Sequence, residues 1–209
     1  MEPDSHRIFL LSPANVGGKR AQMLLNPGAQ FELAQRLRTG AEVSLGEAFA
    51  FMSGLYFRGK LAYARAFANA PDGQAGVLII TSNCGLVSAD APVTAEELRS
   101  YSNVPIDARD ERYSQPLIRD ALALAALSAK NCSIVLLGSV ASGKYVDHLL
   151  PIFGNQLQFP HEFVGRGDMS RGGLLLRSVA ANRLLTHVPL DGALRRGHRP
   201  PRLAITVAE

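Results

Sequence analysis

Cysteine is scarce in this chain. Cys84 and Cys132 are the only two, too few for a disulfide framework or a cysteine-built zinc site. Long apolar runs are absent too: none approaches the roughly 20 residues that a membrane helix needs. Met1 to His6 are polar and acidic, with no basic segment leading into an apolar stretch, which argues against a secretion signal. The expected location is the cytoplasm, with no membrane association. His6, His148, His161, His187 and His198 show no metal-ligand spacing, so no metal site is expected, and no cofactor motif stands out. Also missing are a Gly-x-Ser-x-Gly elbow, a paired-carboxylate signature, internal repeats and low-complexity stretches. Charge is nearly balanced. The 22 basic and 18 acidic residues leave +4, which permits phosphate or nucleic-acid partners without demanding them.

What the chain does have is material for a core. Hydrophobic residues make up 47% of its 209 positions and charged residues 19%, which excludes disorder for most of its length. That length suits one domain. Residues 1–190 read as a single α/β domain. Residues 191–209 read as a basic C-terminal segment, with four arginines and His198 between Arg195 and Arg202, best taken as a solvated loop. An added edge strand is read at Leu203-Ala-Ile-Thr-Val207.

Three apolar runs read as buried strands: Arg7-Ile-Phe-Leu-Leu-Ser12, Gly76-Val-Leu-Ile-Ile-Thr81 and Ser133-Ile-Val-Leu-Leu137. Thr186-His-Val-Pro189 reads as an edge strand. Ser44-Leu-Gly-Glu47 and Thr94-Ala-Glu-Glu97 have the capping-box spacing that opens a helix. After interruptions at Gly54 and Gly59, a helix is expected from Lys60 to Ala68. Others are expected from Ser114 to Ala129, with Pro116 in the first turn, and from Leu174 to Leu185. Alternating strands and helices predict a three-layer α/β sandwich with a mostly parallel central sheet. In such sheets the loops at the carboxyl ends of the strands bind ligands.

Those loops carry the candidate chemistry. Gly138-Ser-Val-Ala-Ser-Gly-Lys144 follows a strand and precedes a helix, with the phosphate-loop spacing at both glycines and at the lysine. Tyr145 then stands where a magnesium-binding serine or threonine belongs, which argues against nucleotide hydrolysis. Free amides at a helix N-terminus and a lysine can still hold an anion or polar ring. Phe163-Val-Gly-Arg-Gly-Asp-Met-Ser-Arg-Gly-Gly173 sets Arg166, Asp168 and Arg171 among glycines, suited equally to a ligand or to a helix start. Tyr56-Phe-Arg-Gly-Lys60 could stack on bases, although an amphipathic helix explains it as well. Cys84 has no base nearby in sequence and reads as a plain buried thiol.

Thr81-Ser-Asn-Cys-Gly-Leu-Val87, followed by Tyr101 and Val104-Pro-Ile-Asp107, resembles the stretch after a central strand in the uracil-DNA-glycosylase-like domain of archaeosine synthase. There a Ser-x-x-Gly-Leu-Val segment precedes a Tyr-Asp-Val-Pro-Val turn. Residues 55–64 and the turn from Gly165 to Gly173 resemble elements of uncharacterised bacterial relatives of that group. The resemblance spans residues 7–180 through short motifs. It implies a uracil-DNA-glycosylase-like or Rossmann-like fold and a pocket for a nucleobase or deazaguanine-like ring. The departures are specific. Where archaeosine synthase has Pro-Cys-Ser-x-x-Lys, this chain reads Ser12-Pro-Ala-Asn-Val-Gly-Gly-Lys19, with the lysine but not the cysteine. The Gly-Gln-Asp-Pro and His-Pro-Ser motifs of uracil-DNA glycosylases are also missing, so neither chemistry carries over.

The resulting expectation is a nucleobase- or nucleotide-binding protein, extending to a glycosidic-bond-cleaving or base-modifying enzyme. Its site would gather Asn15, Lys19, Ser82, Asn83, Ser139, Ser142, Lys144, Arg166, Asp168 and Arg171 around one hollow. Asp168 is the candidate acid or base, with Lys19 as its catalytic companion. Lys19, Lys144 and Arg166 would meet phosphate or carbonyl oxygens, and Asn83 would read a base edge. Nucleic acid and a second copy of the chain remain open as partners. The alternative is a non-catalytic binding or assembly module that acts with a protein partner.

Overall fold

A computed structural model describes residues 6–129 and 131–201. Six strands form one sheet in the order β3-β2-β1-β4-β5-β6. They are β1 (Arg7–Leu11), β2 (Val77–Ile80), β3 (Leu86–Ser88), β4 (Ser133–Leu137), β5 (Leu157–Pro160) and β6 (His187–Pro189). The middle four, β2-β1-β4-β5, are parallel, and the two outer strands are antiparallel to their neighbours. Among the described residues eight α-helices accompany them: α1 (Lys19–Leu25), α2 (Glu32–Thr39), α3 (Leu45–Ser53), α4 (Leu55–Phe67), α5 (Ala95–Ser100), α6 (Glu111–Leu127), α7 (Gly143–Phe153) and α8 (Asp168–Ala180).

Alternation along the strands divides the core in two. Phe9, Leu11, Val77, Ile79, Val135 and Leu137 face a layer built from α1 to α5 and α8. Ile8, Leu10, Ile80, Ile134 and Leu136 face the layer built from α6 and α7. A period of two in a sheet covered on both faces gives this result: the inner runs of the central strands are apolar, and neighbours go to opposite cores. The expected α/β architecture with a mostly parallel sheet is therefore present.

Several boundaries differ from expectation for physical reasons. Helix α8 begins at Asp168 and ends at Ala180, six residues ahead of the expected Leu174–Leu185 span at its start. Gly172, expected in a turn, is helical and lies against α4. Gly59 does not interrupt α4 either. A Cβ on Gly59 would come 2.7 Å from Gly172 O, and one on Gly172 would come 2.9 Å from Leu55 O. The two glycines let these helices cross with their backbones nearly touching. Helix α6 starts at Glu111, because the Asp110 side chain accepts from Arg112 N at 3.0 Å; Pro116 therefore lies beyond the first turn. Thr94 and Glu97 form the full capping box. Ser44 accepts from Glu47 N, but the Glu47 carboxylate turns to Arg36 at 2.7 Å instead of reaching back. Strands β3 and β5 and helices α1 and α2 were not expected.

The C-terminal segment lies across both glycine-rich loops. Arg196 donates to Ala141 O at 3.2 Å, and Gly165 (φ 72°) is so close beneath His198 that any Cβ would collide with it. Arg202 and the edge strand expected at Leu203–Val207 fall outside the described residues.

Candidate functional site

Strand β1 connects outward to β2 on one side, and β4 lies on its other side. The chain order reverses there, leaving a crevice beyond the carboxyl ends of these strands. The crevice opens into a cleft of about 510 Å³ lined by Pro13 to Gly17 after β1, Ser82 after β2, Tyr101, Ser102 and Val104 to Ile106, Phe49 of α3, and Lys144 and Tyr145 at the start of α7.

Each wall is held in place by the local sequence. Asn15 Oδ1 accepts from Gly17 N at 3.0 Å, closing the turn after β1. The loop after β2 is tied by Thr81 Oγ1, which donates to Gly85 O and accepts from Cys84 N, each at 3.0 Å. Gly85 sits at φ 70°, and Asp120 Oδ2, which accepts from Leu86 N at 2.9 Å, fills the space that a Cβ would need. Ser82 Oγ donates to Tyr101 O at 2.7 Å and so orients the next wall. Phe49 and Tyr101 meet edge to face with centroids 6.1 Å apart. Tyr113 Oη donates to Lys144 O at 2.8 Å and anchors the first turn of α7.

Of the residues expected around one hollow, the fold brings Asn15, Ser82 and Lys144 to this cleft. The rest go elsewhere. Ser142 Oγ donates to Ser139 Oγ at 3.2 Å within their own loop. Asn83 turns from the cleft and donates to Ser100 O and Oγ at 3.3 and 3.2 Å. Lys19 is exposed at the start of α1. Arg166 donates to Glu162 O at 3.0 Å and to Ser170 Oγ at 3.2 Å, and it lines a separate cleft with Arg177 and Arg199. Arg171 donates to Phe163 O and lies over the Phe163 ring, with its side chain only 13% exposed. Asp168 is largely exposed on the first turn of α8 and does not line the cleft. The single-hollow expectation is corrected for these residues: the α8 start packs against α4, to one side of the strand ends.

Two further expectations change. Cys84 is exposed rather than buried; desolvation of its sulfur holds the thiol above the ordinary range, as a quiet rather than a reactive thiol. The phosphate-loop resemblance also weakens. Asp147 Oδ2 reaches back over Gly143, where a phosphate would approach the helix N-terminus. Tyr145, in the metal-ligand position, is a buried aromatic ring rather than a small hydroxyl side chain. Among the described residues no three His, Cys, Asp or Glu side chains are grouped to hold a metal ion, and no helix is long and apolar enough to cross a membrane.

A feature that sequence reasoning missed lies directly beneath the crevice. Lys60 of α4 is 1% exposed. Its Nζ donates to Ser12 O and Ser12 Oγ at 2.5 and 2.7 Å and lies over the rings of Tyr56 and Phe57 at 4.6 and 4.8 Å. Burial pulls its pKa down to about 7, partly offset by the Asp168 charge. Burial also pushes Tyr56 up to about 12 and raises Tyr145. In the sequence Lys60 is an ordinary lysine near an expected helix start; Ser12, distant in the chain, and the rings of Tyr56 and Phe57 enclose it only in the fold. No known protein family, curated protein or solved structure matches the chain.

Proposed function

We propose that the chain binds a nucleobase or nucleotide in the strand-end cleft. The same reading extends to chemistry on the base, either cleavage of its glycosidic bond or its modification. One observation carries it: three aromatic rings (Phe49, Tyr101 and Tyr145) and three polar groups (Asn15, Ser82 and Lys144) line one cleft at the sheet's switch point. A volume of about 510 Å³ lies within the usual range for small-molecule sites. Aromatic residues in the lining suit a planar ring, Ser82 and Asn15 can meet its polar edge, and Lys144 can meet a phosphate. The uracil-DNA-glycosylase-like or Rossmann-like assignment belongs to this proposal too, supported by the resemblance and by the switch point.

Calorimetric titration with the common nucleosides, their monophosphates and short single-stranded DNA tests it. Binding is expected from at least one of these. Lys144→Ala should weaken a phosphate-bearing ligand by about 1.5–3 kcal/mol, the worth of a hydrogen bond to a charged group. Tyr101→Ala should cost about 1–3 kcal/mol through lost stacking. Asp168→Ala should change nothing. Heat from none of the probes would remove the reading.

A further inference from the structure

A second cleft, of about 420 Å³, shares no lining residue with the strand-end cleft. Three arginines line it, and separate segments supply them: Arg166 from the loop after β5, Arg177 from α8 and Arg199 from the C-terminal segment.

Local chemistry sets each of them in place. Arg166 Nε donates to Glu162 O at 3.0 Å, and its Nη1 donates to Ser170 Oγ at 3.2 Å and to Pro201 O at 3.5 Å. Its Nη2 has no hydrogen bond among the described residues. Ser170, Gly173 and Arg177 follow at steps of three and four, so they share one face of α8. Gly173 puts no side chain between the other two. Arg199 arrives because the C-terminal segment presses onto the loop before α8. Gly165, at φ 72°, leaves no room for a Cβ beneath His198, and a Cβ on Gly197 would come 2.8 Å from Val164 Cγ1.

The charge so gathered is not offset. None of the three arginines is in an ion pair among the described residues. Leu55, Met169 and Pro200 add apolar walls, which strengthen the field inside a cleft lined by one sign of charge. A guanidinium stays charged at ordinary pH, and its fork of donors matches the oxygens of a phosphate or a carboxylate. One carboxylate is satisfied by one such fork. A phosphate offers three acceptor oxygens and up to about two charges, enough for several guanidinium groups at once.

We propose that this cleft is a second binding site, for a ligand that carries several phosphate groups. Two sources share that chemistry: a compact polyphosphate and the phosphodiester backbone of a single nucleic-acid strand. The lone phosphate of a mononucleotide engages only part of the cluster, so the two clefts take different ligands. The inference does not rest on the nucleobase reading.

Calorimetric titration of the full chain with inorganic tripolyphosphate, with short single-stranded DNA and with polyglutamate tests it. At least one of the two phosphate probes binds. Arg177→Gln and Arg199→Gln each weaken that binding about tenfold, the lower end for a hydrogen bond to a charged group. Arg65→Gln removes the same charge about 15 Å along α4 from Leu55 and leaves binding as it was. If DNA is the ligand, each of the two cleft variants also makes the dependence of log affinity on log salt shallower by about 0.7. Tripolyphosphate binding alone assigns a compact ligand, and DNA binding alone assigns the backbone. The site is overturned if neither phosphate probe binds, if polyglutamate binds as tightly, or if Arg65→Gln loses as much as the cleft variants.

Discussion

At the scale of single residues, a buried lysine and a half-buried histidine tie folding to pH in opposite parts of the scale. Lys60 is held down to about 7 from an ordinary value of 10.5. Between those values the unfolded chain carries a proton that the folded chain does not, so stability rises as pH climbs from 7 towards 10.5. Lys60→Met removes this component. Urea unfolding at pH 7 and at about pH 9.5 should show the wild type gaining on the variant, and parallel behaviour of the two would contradict the burial of an uncompensated amine. His187 works in the acid range. Tyr63 Oη accepts from Leu185 N at 2.9 Å and shares a hydrogen bond of 3.0 Å with His187 Nε2. Burial, followed by Arg7, lowers His187 to about 3 from 6.5. The unfolded chain alone is protonated in that window, so stability falls as pH drops from 6.5 towards 3. His187→Gln keeps an acceptor but cannot titrate, and its unfolding midpoint should fall less over that window than that of the wild type. Neither residue stood out in the sequence. A lysine near a helix start and a histidine in an edge strand carry no local mark of burial; partners distant in the chain, Ser12 and Tyr63, impose it.

At the scale of elements, the α4–α8 crossing rests on two glycines. Gly59 and Gly172 stand where a methyl group has no room. Gly172→Ala must push the helices apart or strain both, and overpacking of this kind costs about 1–3 kcal/mol. Gly167→Ala, at a position with open space around it, is the control and should cost almost nothing. Chemical denaturation compares the two; equal midpoints would mean that the crossing yields freely. In the sequence these glycines read as interruptions, because a glycine inside a helix is locally unfavourable. The penalty is local and the compensating contact is not, which is why α4 and α8 were misjudged at their starts. The strands were easier. β1, β2 and β4 are continuous β-branched or leucine runs that follow from local chemistry alone. β5, with Gln158 inside it, and the three-residue β3 lack such a run and form by pairing with neighbours.

At the scale of the whole molecule, the strand order explains why three of the ten residues expected in one site came together and the others did not. Loops after β1, β2 and β4 converge because parallel strands end on one side of the sheet. Asn15, Ser82 and Lys144 lie on those loops or just after them, and their convergence was legible once three strands were recognised. Arg166, Asp168 and Arg171 follow β5, one strand further from the switch point, and their loop is drawn towards α4 and covered by the C-terminal segment. The aromatic walls were illegible for a related reason: Phe49 and Tyr101 belong to a helix and a turn that reach the cleft only after the core on that face has packed. The division can be read by hydrogen exchange with any nucleotide that binds. Protection should rise together over residues 12–17, 82–85, 101–106 and 143–145, because a ligand in the crevice must touch three strand ends at once. Residues 165–171 should exchange at their ligand-free rate. Protection confined to the α8 loop would instead move the site to the cleft of Arg166, Arg177 and Arg199, and the switch point would then have no part in binding.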